Sequence, residues 1–225
     1  MASVAIDGPA GAGKSTIAKL VAKELNAIYV DTGAMYRAIA IYFLRNHLNP
    51  EVPEEVEKAC REIEVQITYE DQQQQVWLNG ENVTGQLRTE EVGNMASVSS
   101  AKQPVRDKLL QLQRNMAKEQ NVVMDGRDIG THVLPNAEVK IYLTASVEER
   151  ARRRFEELTQ KGESCDLEKI KQDISQRDYQ DMNRDIAPLR QAEDAYYLDS
   201  SSLTIQEVVA EILKRCEGTA VWKSC

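Results

Sequence analysis

Gly8-Pro9-Ala10-Gly11-Ala12-Gly13-Lys14-Ser15 is the stretch on which the reading of this chain turns. It satisfies Gly-x-x-x-x-Gly-Lys-Ser/Thr, the loop that joins a strand to a helix and cradles phosphate. Glycines at 8, 11 and 13 let the backbone turn with its N–H groups inward, forming an anion-binding nest. The helix that starts near Ser15 adds its N-terminal dipole and free N–H donors. Lys14 can reach the outer phosphates, and the Ser15 hydroxyl can ligate Mg²⁺. The flanks fit the motif: Val4-Ala5-Ile6 reads as a short buried strand before it, and Ile17, Leu20, Val21 and Leu25 recur at helical spacing after it. A purely structural Gly-rich turn would not require that context. Residues Gly8 through Thr16 are therefore expected to hold a nucleoside triphosphate.

Outward from the loop, apolar runs and helical patterns alternate. Ala27 to Val30 reads as a second strand, Val122 to Met124 as a third, Val139 to Leu143 as a fourth and Ala195 to Leu198 as a last one. Helices are expected over Ala34 to Arg45, Glu54 to Ile63, Val105 to Gln120, Leu167 to Asn183 and Thr204 to Cys216. Strands alternating with helices predict an α/β fold with a parallel sheet covered on both faces. Residues 64–85 differ: Val65 to Tyr69 alternates with period two, Val76-Trp77-Leu78 follows, and Asn79-Gly80 is a tight-turn signal. This is expected to be a small antiparallel insert, with the glutamines at 72–75 as a hairpin connection.

Two further constellations lie at the carboxyl ends of predicted strands, where open parallel sheets bind ligands. Asp31-Thr32-Gly33-Ala34-Met35-Tyr36-Arg37 brings a hydroxyl and an arginine able to grip an acceptor phosphate bidentately. Asp125-Gly126-Arg127-Asp128 offers a carboxylate that could organise Mg²⁺ through water, an arginine for phosphate, and in Asp128 an acceptor for a base amino group. Arg150, Arg152, Arg153 and Arg154, then Arg177 and Arg184, supply mobile positive charge of the kind phosphoryl transfer uses. Glu148, Glu149, Glu156 and Glu157 lie beside the first four, so ion pairs are expected for some and phosphate contact for one or two.

Bulk properties narrow the partners. The 225 residues carry 36 acidic and 28 basic side chains, a net charge of −8, which argues against a nucleic-acid polymer as ligand. The longest apolar runs are far shorter than a membrane span, and the N-terminus reads straight into a strand, so a cytoplasmic protein is expected. Cys60, Cys165, Cys216 and Cys225 are scattered, and with His47 and His132 they form no metal-ligand spacing.

The chain resembles the bacterial-type cytidylate kinases, P-loop nucleoside monophosphate kinases. The resemblance spans about Val4 to Arg215. It is carried by Ile6 to Lys14, Asp31 to Arg37, Gly85-Gln86-Leu87-Arg88-Thr89, Asp125 to Thr131, Arg177-Asp178 and Asn183-Arg184. It implies a five-stranded parallel core with an acceptor-binding region enlarged by the β insert and a short mobile lid. The divisions it suggests are a discontinuous core of residues 1–36, 86–147 and 184–216, an acceptor-binding region over 37–85, a lid and following helix over 148–183, and a tail over 217–225 containing Trp222. It implies Mg²⁺-dependent transfer from ATP to CMP and dCMP by what is expected to be a monomer. Thr32, Tyr36 and Arg37 would contact the acceptor, Ser97, Arg106 and Asp128 would recognise cytosine, and Arg177 and Asp181 would hold the sugar. Arg127 and Arg184 would approach phosphate and, with Lys14, Arg150 and Arg154, form the catalytic set; Ser15, with Asp125 through water, would hold the metal. Thr32 stands where members of the family often carry Ser, and it keeps the hydroxyl.

Two rivals are weaker. A kinase for UMP or a metabolite alcohol would not need Asp128 and Arg106 together, which suit the amine and the acceptors of cytosine. A regulatory GTPase would carry Asn-Lys-x-Asp, and Asn26 and Asn46, for instance, are not followed by lysine.

Overall fold

Strands buried on both faces must be apolar at nearly every position, and in this computed structural model the three central strands of the main sheet are buried almost throughout, while its edge strand Tyr196–Asp199 is mostly exposed. The structure describes residues 1–219, so most of the expected tail, including Trp222, lies outside the described residues. β1 (Ser3–Asp7), β2 (Ile28–Asp31), β6 (Val122–Gly126), β7 (Val139–Thr144) and β8 (Tyr196–Asp199) form one sheet in the order β2-β6-β1-β7-β8. All four pairings are parallel. The pleat sends alternate residues to opposite layers. Ala5, Val122 and Met124 join the core under α2 (Thr32–Arg45), α3 (Pro53–Glu62) and α5 (Gln103–Glu119), with Phe43, Ile39 and Leu109 fully buried there. Val4, Ile6 and Val123 join the opposite core with Ile17 and Val21 of α1 (Lys14–Glu24) and Val208 and Ile212 of α8 (Ile205–Glu217).

The insert is a separate three-stranded antiparallel sheet of β3 (Val65–Glu70), β4 (Gln73–Leu78) and β5 (Glu81–Asn82). Asn79 and Gly80 both have positive φ, 48° and 82°, as a tight hairpin turn requires. The glutamines correct the sequence reading. Gln73, Gln74 and Gln75 are strand, paired with Glu70, Tyr69 and Thr68, and the connection is Asp71-Gln72, with φ of 49° and 62°. The Gln74 side chain also reaches the parallel sheet. Its amide accepts from Asp31 N (2.8 Å) and donates to Asp31 O (3.1 Å), copying a backbone pair on the free edge of β2. Val76 and Leu78 of the same strand enter the core under α2.

One helix was not anticipated, α4 (Glu90–Ser99), whose N-terminus is capped by the Thr89 hydroxyl accepting from Val92 N. The arginine-rich stretch is α6 (Val147–Gln160), and a short loop leads into α7 (Leu167–Asn183), capped by Asp166. The turn after β6 continues into one π-type turn over Ile129–Val133. These connections set the P-loop, the start of α2 and the turn after β6 at the same edge of the sheet.

Gly8 leaves no room for a side chain: a Cβ there would sit 1.9 Å from the Leu143 carbonyl oxygen. Gly13, at φ 83°, has open space around it. Gly8→Ala should therefore lower unfolding stability by about 3 kcal/mol or more, and Gly13→Ala by only about 1–2 kcal/mol of left-handed strain. Urea denaturation midpoints of the two variants check this order.

Candidate active site

The P-loop runs from the end of β1 into α1, with Gly13 as the residue that caps the helix in a left-handed conformation. Lys14 folds back over the loop and donates from Nζ to the Pro9 carbonyl at 2.7 Å. Its side chain is buried, and burial together with the nearby Arg127 guanidinium pulls its pKa down to about 7. The Ser15 hydroxyl donates to one oxygen of Asp125 (3.1 Å) and the Tyr29 hydroxyl donates to the other (2.9 Å). Burial, then the charge of Asp31, pushes Asp125 up to about 6. Thr32, at the start of α2, donates its hydroxyl to the Asp125 carbonyl at 2.8 Å, so these strand ends are cross-linked.

Arg106 and Asp128 form a buried ion pair. Arg106 also donates to the Ser100 carbonyl at 3.2 Å and lies 5.5 Å from the centre of the Tyr36 ring. Arg184 stands 3.9 Å from Asp128 and 3.9 Å from Asp181. Arg127 donates from Nε to Asp181 at 2.8 Å. Burial lowers the pKa of Arg177 and of Arg184, each with a neighbouring arginine as the next cause, Arg127 and Arg106 respectively. Arg177 Nε and Arg184 Nη2 have no hydrogen-bond partner among the described residues. Buried guanidinium donors of this kind match the oxygens of a phosphate or a sugar hydroxyl.

Every expected site residue except Gly8 and Pro9 lines one continuous cavity of about 700 Å³. Ser97 and Arg37 reach it from α4 and α2, and Arg37 lies 3.8 Å from Asp31. The α6 arginines divide as the nearby glutamates suggest. Arg152 and Arg153 pair with Glu149, and Arg154, 48% exposed, pairs with Glu157 at 2.8 Å. Arg150 departs from the expectation of a mobile phosphate contact. Its guanidinium donates to Ala145 O (2.9 Å), Ala10 O (2.9 Å) and Asp178 (2.7 Å), which ties it to the P-loop backbone.

Three polar residues that brace the site from behind its lining escaped the sequence reading. Tyr29 lies inside an apolar strand and gives no signal there. Asp178 appeared only as the neighbour of Arg177, and Asp7 only as the residue before the first glycine. Asp7 is buried, accepts from Ile129 N (2.8 Å) and Gly130 N (2.7 Å), and is pushed by burial up to about 7 despite those bonds.

The family described as cytidylate kinase matches residues 4–218. The chain belongs to the cytidylate kinase family. A cytidylate kinase of Caldicellulosiruptor bescii is 50% identical over 212 residues, covering 94% of this chain and 94% of its own. A cytidylate kinase of Bacillus subtilis is 46% identical over 215 residues, covering 96% of each. A crystal structure of an uncharacterized protein from Eubacterium ventriosum has a TM-score of 0.54 at 10% identity, covering 97% of this chain and 100% of that one, a likeness of fold alone.

Membership of the cytidylate kinase family gives the charge balance around Lys14 a consequence. Burial and Arg127 hold the lysine's pKa well below its ordinary value in the free protein, and a triphosphate beside it would favour the charged form. Nucleotide binding at about pH 8.5 should therefore take up protons, and affinity should fall as pH rises through the lysine's pKa. Calorimetric titration in buffers of different ionisation enthalpy should give proton uptake for the wild type and a clearly smaller uptake for Lys14→Met.

Proposed function

We propose that this chain transfers the γ-phosphoryl group of ATP to the 5′-phosphate of CMP and dCMP, giving ADP and CDP or dCDP. The observation that carries the reading is the buried Arg106–Asp128 pair at the end of the crevice that begins at the P-loop. Cytosine offers an amine beside a ring-nitrogen acceptor and a carbonyl. Asp128 can accept from the amine while Arg106 donates to the acceptors, with Ser97 at the same rim. Uracil carries a carbonyl in place of the amine, and its oxygen would face a carboxylate. Arg177 and Asp181, which line the same cavity, would then hold the sugar, and Arg37, Arg127 and Arg184 would hold the acceptor phosphate.

The acceptor oxygen is already anionic, so no strong base is needed, and the task is positioning and charge neutralisation. Backbone N–H groups of the loop from Gly8 to Thr16 hold the donor phosphates, and Lys14, released from the Pro9 carbonyl, bridges the outer ones. The Ser15 hydroxyl and the Asp125 carboxylate, hard oxygens 3.1 Å apart, suit Mg²⁺, which takes few protein oxygens alongside phosphate. Ser15 would hold the ion directly and Asp125 through water. When bound, Mg²⁺ would supply charge neutralisation for the phosphoryl transfer.

Arg154 is exposed and paired only with a surface glutamate, a weak hold in water, so it can swing toward the transferring group when the α6–α7 loop closes. Arg150 braces the loop through Ala10. Closure excludes water, the competing acceptor. We further assign the enzyme to the cytoplasm as a monomer working on free nucleotides, which suits its net charge of −8. Among the described residues no helix is long and apolar enough to cross a membrane.

Initial rates of ADP formation from Mg·ATP with CMP, dCMP, UMP, AMP and GMP test the reading. Turnover should be fast only with CMP and dCMP, and preference for a purine monophosphate would overturn it. Asp128→Asn should lower kcat/KM for CMP by about a hundredfold while affecting UMP much less. The KM for ATP should stay near the wild-type value in that variant.

A further inference from the structure

We propose that Asp7 is a positioning residue for base selection: its carboxylate fixes the turn that aims Asp128 at the acceptor base. Asp7 ends β1, the strand that leads into the P-loop, and no sequence motif marks it as an acceptor-site residue. Yet its carboxylate crosses to the turn after β6 and receives two backbone donors, Ile129 N at 2.8 Å and Gly130 N at 2.7 Å. These are the first two residues after Asp128. The two strands lie side by side, with Asp7 in register with Gly126, so a one-methylene side chain spans the gap.

The turn it holds is unusual. Asp128 has φ −144° and ψ 27°, and the chain then enters the π-type turn of Ile129–Val133. Neither captured N–H group has an intrahelical partner at the first positions of such a turn, and a carboxylate accepting both satisfies them together. Gly130 also packs close to this carboxylate: a Cβ there would be 3.4 Å from Asp7 Oδ2 and 3.2 Å from Lys140 Cδ. Asp7 is 5% exposed as a residue, a costly place for a carboxylate that held only a surface turn together. Asp128, the residue immediately before these two N–H groups, makes its pair with Arg106 in equally deep burial. Whatever turns those peptides therefore turns the base-reading oxygens.

Asp7 makes no side-chain hydrogen bond to the P-loop itself, so its loss should be felt at the acceptor base more than at the donor. Asp7→Asn keeps the volume, but the amide nitrogen then faces one of the two N–H donors. The inference rests on the cytosine reading of the site, and the experiment separates the two. Wild type, Asp7→Asn and Gly130→Ala are assayed with CMP and with UMP at saturating ATP, and KM for ATP is measured for each. Gly130→Ala crowds the same tie while leaving the buried charge in place, so it reports even if Asp7→Asn does not fold.

The expected result is a CMP-over-UMP ratio of kcat/KM that falls by about tenfold in Asp7→Asn and by less in Gly130→Ala, with KM for ATP changed by less than about threefold. Equal losses for both acceptors, or a change confined to KM for ATP, would overturn the assignment and make Asp7 a support of the fold or of the P-loop. A wild-type enzyme that does not prefer CMP would overturn the cytosine reading instead, and that result is visible before any substitution is made.

Discussion

Positive charge has to be stored, out of water, before any phosphate arrives to neutralise it. Lys14, Arg106, Arg127, Arg177 and Arg184 share one crevice, and the cost of that crowding is visible where burial and a neighbouring cation together pull down Lys14, Arg177 and Arg184. The cluster is kept in place by carboxylates that answer it one by one: Asp128 for Arg106, Asp181 for Arg127, Asp178 for Arg150. Removing either partner of such a buried pair leaves an uncompensated charge, so these pairs fix geometry more than they add stability. The pairs also leave guanidinium donors over, on Arg177 and Arg184, for a ligand to take.

The topology makes this possible. Parallel strands end at one edge, and the chain leaves each of them in a turn that can carry polar residues without disturbing the apolar layers beneath. β1 gives Asp7 and the P-loop, β2 gives Asp31 and Thr32, and β6 gives Asp125 to Asp128. Hydrogen bonds then run sideways between these ends, from Thr32 to the Asp125 carbonyl and from Ile129 and Gly130 to Asp7. The insert takes part in the same bracing, since Gln74 completes the free edge of β2 directly before Thr32. Donor loop and acceptor site are thus one connected framework.

Much of this was legible in the sequence because two signals are strong. Continuous apolar runs such as Val4 to Ile6 and Val122 to Met124 can serve as strands covered on both faces, and the glycine spacing of residues 8–13 has few other uses. What escaped notice depended on partners far away in the chain. Helix α4 presents few large apolar residues, and its start rests on the Thr89 cap. The glutamines of β4 are strand through their pairing with Thr68, Tyr69 and Glu70 of β3, and the contact of the Gln74 side chain with Asp31, 43 residues away, is one that no local propensity encodes. Arg150 resembled its neighbours in sequence, yet it is buried where Arg154, four residues further on, is half exposed, and Ala10 and Asp178 take its donors. Tyr29 and Asp7 are polar tips on buried strands, where only the register of β2, β6 and β1 reveals what they reach.

The central claim is that the P-loop and the Arg106–Asp128 pair are two ends of a single binding crevice. An analogue that joins adenosine and cytidine through a chain of phosphates tests it directly by occupying both ends at once. The account predicts inhibition competitive against both ATP and CMP, with affinity well above that of either nucleotide, as expected when the second contact becomes intramolecular. Competition against ATP alone, with no gain over an adenosine polyphosphate lacking cytidine, would contradict it.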